Sequence, residues 1–581
     1  MKNRIILSLA AARHDASATL FINYKQVAAV QLERLTRIKT DGDRIPNEAI
    51  DEVLEIANIS KSKVTDICLS RNRYPFDWFE FKRGSLHYAK RLTENFFRSL
   101  IGKKYILTST KEMKRTNSSN LLDLFNQRKF LDEYGFNDKA NLHFYDHHFA
   151  HVLPCLFHNP DWEDALLYSA DGGGDTGYYS FRYFNGHSIK ELFGGDEWIF
   201  KTPPCSSLAL AYGTATEALG WKINRHEGKL TGLAASGRPI FIDQLKSRFS
   251  VSNDGQILST FSSVTELKHF VLDICKNKSR EDVASSFQEL LHELVPESIN
   301  ALLSRYPTKN LGVSGGLFAN VRLNQVIAEK CDIDKFFIYP AMSDAGLSTG
   351  GALLHLMDQD GLPKWLNQRK TLENLYLGKN FDSEVNDSFG GFKDIFRVDG
   401  DNVELAIEHL VANKVVAIYT QGMEFGPRAL GARSVLASPH NAEINQSLNK
   451  RMERSEFMPF APFVRDVDAK EVFNLPDCFY YPARFMTITC SVKESWIQKI
   501  PAVVHIDGTA RPQVITRTDN ALYYDLLTRF KERTGLPVLI NTSFNVHEEP
   551  IINSPMECAK ALIDDRVDAV LTKDDFYCIS R

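Results

Sequence analysis

Twice in this chain an apolar run ends abruptly in glycine, and that repetition constrains the fold more than any other feature. In "DALLYSADGGGDTGYYSFRYF" the run delivers Asp171 into Gly172 and Gly173 before another strand begins. In "NLGVSGGLFANVRLNQVIAEK" a second run meets Gly315 and Gly316 and passes through Asn320 into a helix. Glycine has no Cβ, so backbone N–H groups there can close on phosphate oxygens. One such turn is compatible with plain chain reversal. Two of them, with Lys229 of "HEGKLTGLAASG" placed to meet a phosphate, suit two related α/β halves around a nucleotide cleft.

With 581 residues, 43% hydrophobic and 24% charged, the chain has an ordinary globular composition and is too long for one compact core. From Arg4 to Arg34 the pattern is strand, turn, strand, with Asn23 and Tyr24 suited to a hairpin connection. Residues 46–135 read as mostly helical. They include "RNRYPFDWFEFKRG", whose Trp78, Phe79 and Phe81 suit either an apolar core or stacking on a bound acceptor beside His14. Near residues 360–400 the pattern loosens, and "NVELAIEHLVANKVVAIYTQG" then restarts an alternation of helix and strand. The expected division is a first domain over 1–390, carrying the helical insertion, and a second over 391–581.

The net charge of -4 gives no global attraction for nucleic acid, and only Lys103 to Arg115 forms a basic stretch. Nine cysteines without a CxxC pair argue against a disulfide scaffold or zinc ribbon and suit the reducing cytoplasm. The opening "MKNRIILSLAAARHDASA" imitates a secretory leader, but its apolar core is short and strand patterning continues beyond it, so it reads as a buried first strand. No apolar window approaches the length of a membrane span. A homo-oligomer is compatible with all of this and demanded by none of it.

In "DHHFAHV", His147 and His151 stand four apart, so on a helix both imidazoles share one face. A metal site and ordinary helix packing both remain open on that spacing. A zinc-protease reading fails, because the HExxH pattern needs a glutamate after its first ligand and His148 stands there. Asp171 and Asp344 each sit in a short loop beside glycine. Two imidazoles with carboxylate suit iron(II), manganese or zinc better than magnesium.

The segments "RHDASATL", "DHHFAHV", "ADGGGDTGYYS", "EGKLTGLAASG", "SGGLFANVRLN", "EFGPRALGARSVLASP", "PFAPFV", "DGTARPQVI" and "LINTSFNVHEEPII" follow one another along nearly the whole chain. In that order they resemble the O-carbamoyltransferases of antibiotic and nodulation-factor biosynthesis. The resemblance implies an actin-like N-terminal lobe, similar to the tRNA threonylcarbamoyl transferases, and a YrdC-like C-terminal lobe. It implies that carbamoyl phosphate and ATP with Mg2+ form carbamoyl adenylate in the second lobe. The carbamoyl group then passes, beside iron(II), to a hydroxyl or amine of a small-molecule acceptor in the first. By matched position, His147, His151 and Asp344 are the implied metal ligands, and Asp171 belongs to the same nucleotide site. His14 is the implied base beside the acceptor. Arg428, Arg511, Ser543 and Asn545 fall where phosphates and the carbamoyl group bind, and arginine's planar fork suits two phosphate oxygens.

The chain departs from the pattern in "NKRMERSEFMPFAPFV", where Met452 and Met458 stand at positions expected to be basic. Methionine cannot replace a cation facing phosphate. Lys450, Arg451, Arg454 and Arg465 are neighbours that a slipped register would bring in. The departure leaves two further readings: a ligase of the same fold that adenylates another acid, and a non-catalytic nucleotide-binding protein.

Overall fold

The computed structural model describes residues 3–11, 13–81, 86–100, 105–201, 203–453 and 459–580. Two five-stranded sheets dominate the N-terminal part. The first runs, in spatial order, Lys25–Gln31, Ser17–Ile22, Ile5–Ala10, Asp66–Ser70 and Asn141–Tyr145. The second runs Ile189–Phe193, Gly177–Phe184, Ala165–Gly174, Asn310–Ser314 and Lys335–Ile338. Both place their strands third, second, first, fourth, fifth, antiparallel through the first three and parallel thereafter. This duplication is the actin-like lobe. Its parallel strands, such as "DICLS", are covered on both faces and therefore read as continuous apolar runs rather than alternating ones. The hairpin of the first sheet turns at Asn23, whose φ of 53° is a left-handed conformation that asparagine tolerates.

The helix after the fifth strand of each sheet packs on the other sheet. His147–Phe157 lies on Ala165–Gly174 and Asn310–Ser314, while Leu347–Asp360 lies on Ile5–Ala10 and Asp66–Ser70. The two helices cross at Gly350, where a Cβ would sit 1.8 Å from the carbonyl oxygen of Ala150.

The C-terminal part is built on a mixed eight-stranded sheet. Its order is Ile395–Val398, Phe576–Ile579, Ala569–Leu571, Val416–Tyr419, Arg433–Ala437, Val538–Ser543, Ala461–Arg465 and Gln513–Ile515. Helices Asn402–Val411 and Ala521–Thr534 cover one face through Leu410, Leu526 and Phe530. The other face joins an apolar cluster that reaches back to the second N-terminal sheet, so the two parts share one core.

The stretch 46–135 differs from the helical expectation. It supplies helices Asn47–Ile56, Leu86–Leu100, Ser109–Thr116 and Gln127–Tyr134, but also the central strand Asp66–Ser70 and a small pairing of Arg73–Pro75 with Ile106–Thr108. A short, fully buried strand has no period to betray it. Trp78 and Phe79 are core residues, packed with Tyr74, Phe125 and Phe130, and Phe81 stacks on Phe79. No helix among the described residues is long and apolar enough to cross a membrane, and the nine cysteines are unpaired.

Candidate functional site

Asp146 caps the helix His147–Phe157, its carboxylate accepting the N–H of Phe149, and the four-residue spacing aims both ring Nε2 atoms at one point. The strand Ala165–Gly174 brings Asp171 to that point, and the short turn Asp344–Gly346 brings Asp344. The Nε2 of His151 lies 3.2 Å from that of His147, 3.1 Å from Asp171 Oδ2 and 3.6 Å from Asp344 Oδ1. His147 Nε2 lies 3.7 Å from Asp171 and 3.8 Å from Asp344. Burial opposes a charge on His147, but the two carboxylates outweigh it and raise the ring to about 9. His148 points elsewhere, its Nδ1 2.9 Å from the Ser169 hydroxyl. Burial and the neighbouring His147 push it down to about 3, so it stays neutral. Two facing imidazole nitrogens have at most one proton to share between them. Two imidazoles with two carboxylate oxygens fit a divalent transition ion.

The glycines also have packing duties. Gly172 has room for a Cβ, Gly173 holds a φ of 151° that other residues rarely adopt, and at Gly174 a Cβ would sit 2.1 Å from the His147 ring. Gly315, with φ 104°, packs so closely on Ala170 that a Cβ there would sit 2.2 Å from its carbonyl oxygen, which seats the fourth strand's turn behind Asp171.

Above this cluster a cleft of about 520 Å³ opens between the two parts of the chain. His14, Asp171, Gly172, Lys229, Gly316, Asn320 and Asp344 line it from one side, and Arg428, Arg511, Ser543 and Asn545 from the other. Gly173, Gly315, His147 and His151 lie outside the lining. Asn320 also caps the helix Val321–Lys330 and donates to Gln288, and the Asn545 amide donates to the carbonyls of Val546 and Glu549, so both residues hold their own loops in shape. Among the described residues none of the lining comes from 70–135, and Trp78, Phe79 and Phe81 do not form the wall beside His14. That wall is Gln31, Glu33, Arg34, Lys39 and Thr40, together with Arg225.

The segment 31–40 escaped the sequence reading because its charges look like an ordinary solvated face. The buried Arg34 pairs with Glu33 at 2.6 Å and donates to the carbonyl of Gly426 at 2.7 Å; Arg37 donates to the carbonyls of Pro550 and Ile551. Across the cleft, Glu548 meets His226, Lys222 and Arg225 at 2.5, 3.0 and 3.3 Å. These contacts clamp the two lobes about the cavity.

In "EFGPRALGARS" the loop wraps a buried carboxylate: Glu424 accepts the N–H groups of Leu430, Ala432 and Arg433. Arg433 is fully buried over the Tyr419 ring, and Arg428 is the arginine that reaches the cleft. Met452 is 1% exposed, within the apolar core at the end of the helix Glu443–Arg451, and is absent from the cleft wall. Met458 and Arg454 lie outside the described residues. Arg451 pairs with Asp568 and Arg465 with Asp468, and neither they nor the exposed Lys450 line the cleft. Arg322 and His505 also line the cleft, unmarked by sequence.

His14 carries a conflict with the simplest role for it. Burial would lower its pKa, but the Asp15 hydrogen bond and the fields of Asp344 and Asp171 prevail and raise it to about 10. Its Nδ1 lies 3.3 Å from Asp15 Oδ2, which leaves Nε2 for a substrate.

Comparison with known proteins matches the carbamoyltransferase N-terminus over residues 5–353 and the carbamoyltransferase C-terminus over residues 407–578. An uncharacterised protein of Methanocaldococcus jannaschii is 28% identical over 98% of this chain and 98% of its own length. The nodulation protein NolNO of Sinorhizobium fredii is 30% identical, over 96% of this chain and 78% of that one. NolO of Bradyrhizobium diazoefficiens is 31% identical, over 74% and 76%. Among solved structures, full-length HypF in its phosphate- and nucleotide-bound form is 13% identical with a TM-score of 0.34, covering 62% of this chain and 47% of that one.

Proposed function

This chain belongs to the carbamoyltransferase family, and from that premise we propose an ATP-dependent enzyme that makes carbamoyl adenylate in its C-terminal lobe and spends it in its N-terminal lobe. The donor is carbamoyl phosphate. The acceptor is a hydroxyl or amine of a small molecule of the natural-product kind, and the setting is the cytoplasm. Release of both phosphate and pyrophosphate requires one water: it cleaves carbamoyl phosphate to carbamate and phosphate, and a carbamate oxygen then attacks the α-phosphorus of Mg2+-bound ATP as pyrophosphate leaves. An acceptor oxygen or nitrogen next attacks the carbamoyl carbon, and AMP leaves.

The observation that carries this reading is the single cleft shared by Arg428, Arg511 and Ser543 on one side and His14, Asp171 and Asp344 on the other. A reactive mixed anhydride can cross such a cleft without meeting bulk water. Arg428 and Arg511 hold the phosphates that carry charge as the adenylate forms, with Ser543 and Asn545 beside them. Lys229, Gly172, Gly316 and Asn320 receive the nucleotide at the other side.

His147, His151 and Asp344, with Asp171 beside them, would hold iron(II) or another divalent transition ion. When bound, that ion supplies positive charge that polarises the nucleotide phosphate and offsets the carboxylate field on His14. The neutral His14 ring takes the acceptor proton at Nε2 while Asp15 holds Nδ1.

The test is pyrophosphate release from ATP by the purified protein with iron(II) and Mg2+, with and without carbamoyl phosphate. Release that requires carbamoyl phosphate supports the reading. Release with other acids and none with carbamoyl phosphate would transfer the assignment to a ligase of the same fold.

A further inference from the structure

A second group of metal-binding side chains lies at the far end of the helix that begins beside Asp344. Asp66 opens the fourth strand of the first sheet, His143 stands on the neighbouring fifth strand, and His355 projects from the helix Leu347–Asp360 that covers them. His143 Nε2 is 3.3 Å and His355 Nε2 is 3.4 Å from one oxygen, Asp66 Oδ1. The three ligand atoms lie within 4.8 Å of one another. His355 and Asp66 are buried, while the His143 side chain is 29% exposed and leaves a path to solvent.

Hydrogen bonding explains this arrangement poorly. Asp66 Oδ2 has a good donor in the Thr65 hydroxyl at 2.7 Å. Oδ1 instead faces His143 and Asn141 at 3.3 Å and His355 at 3.4 Å, and the buried His355 Nε2 makes no well-formed hydrogen bond. Charge-assisted hydrogen bonds close to about 2.8 Å. The imidazole rings, 3.9 Å apart and 37° from parallel, place two ring nitrogens side by side toward the same carboxylate. Donors spaced this way are ordered about a common point more than upon one another.

We propose that Asp66, His143 and His355 form a second divalent transition-metal site, of the class that takes zinc, which pins the helix Leu347–Asp360 to the first sheet. Two imidazoles and one carboxylate supply three protein ligands, and the solvent-facing side supplies the fourth. His355 stands eight residues beyond Leu347, where the helix begins, about 12 Å along its axis at 1.5 Å per residue, and Asp344 lies in the turn before that start. The site is therefore separate from the cleft, and its ion fixes the far end of the helix whose near end carries Asp344. Asp358, three residues beyond His355, stands under the opposed pull of burial and of these two histidines, and adds negative charge nearby.

The experiment counts zinc(II) on chelator-stripped full-length protein by calorimetric titration, which requires no activity. In a His147→Ala, His151→Ala background one equivalent still binds, and adding His143→Asn with His355→Gln weakens that binding at least 100-fold. X-ray absorption at the zinc edge in the first background, with His547→Ala added to remove the group His226, His547 and Glu548, keeps the test independent of whether the quadruple variant folds, and it shows two imidazole ligands. No zinc bound in the His147→Ala, His151→Ala protein, or zinc bound there by oxygen ligands alone, would overturn the proposal and leave a hydrogen-bonded His–Asp–His group. None of these outcomes bears on carbamoyl transfer.

Discussion

Replacing Gly350 by alanine tests whether the helix crossing holds the metal cluster together. The new methyl would lie 1.8, 2.5 and 2.7 Å from the O, C and Cα of Ala150, all backbone atoms that cannot swing aside. Carbon contacts settle near 3.5 Å, so the helices have to part by about 1.5 Å. Overpacking of this kind costs about 1–3 kcal/mol, against about 1 kcal/mol gained from alanine's helix propensity. The expected net loss is about 0–2 kcal/mol, read in the urea midpoint. The larger effect falls on the metal site, because one helix carries His147 and His151 and the other begins beside Asp344. Their 3.6 and 3.8 Å separations would grow toward about 5 Å, beyond what bonds of about 2.0–2.2 Å to one ion can bridge. Metal affinity by calorimetry should fall at least 100-fold. Gly390→Ala, where a Cβ meets nothing within 4 Å, serves as the control and should leave the affinity unchanged without lowering the midpoint. A Gly350→Ala protein with unchanged midpoint and unchanged affinity would refute the crossing as the device that sets the cluster.

Arg428→Ala and Arg511→Ala should each lower carbamoyl-phosphate-dependent pyrophosphate release roughly 10- to 150-fold, the worth of one charge-assisted contact of about 1.5–3 kcal/mol, with the far-UV spectrum unchanged. Met452→Lys should destabilise the fold by several kcal/mol, about 2–5, without improving the donor's KM, because it buries an ammonium in the core; tighter donor binding would contradict the placement of that side chain. His158 is pushed by burial from an ordinary 6.5 to about 3, so below pH 6.5 the unfolded chain takes up a proton that the folded one refuses. Its contribution is therefore whole above pH 6.5 and falls by about 1.4 kcal/mol per pH unit toward pH 3, a slope that His158→Gln should reduce in urea titrations at stepped pH. His14→Ala should abolish transfer to the acceptor while leaving adenylate formation within about two-fold, and the wild-type transfer rate should rise with pH until the ring is neutral.

Much of the site was legible because it is local. A four-residue histidine spacing projects from one helix face whatever surrounds it, and a strand that runs into glycine presents its last carboxylate at a sheet end. These features marked His147, His151, Asp171 and Asp344 one by one, the family resemblance grouped them, and the fold brings the four together. Arg428 of "EFGPRALG" and Arg511 of "DGTARPQVI" were singled out by the family resemblance, and both line the cleft. Residues whose meaning depends on a distant neighbour were not legible. The strand Asp66–Ser70 hides in a helical stretch because burial on both faces removes its period. The Trp78 and Phe79 pair suits a stacking platform or a core equally until Phe125 and Phe130 close over it.

The sequence alone determined the α/β alternation, the strand-and-glycine units and the shared face of His147 and His151, since each depends on spacing along a few consecutive residues, and its motifs in order carried the family resemblance. Tertiary structure decided the rest. It put Met452 in the core, set Glu33 and Arg34 as the wall beside His14, pressed Gly174 against a ring, and gathered Asp66, His143 and His355 from three elements. Those outcomes come from packing between segments up to hundreds of residues apart. No local pattern records which side chains the folded chain will bring within a few ångströms of one another.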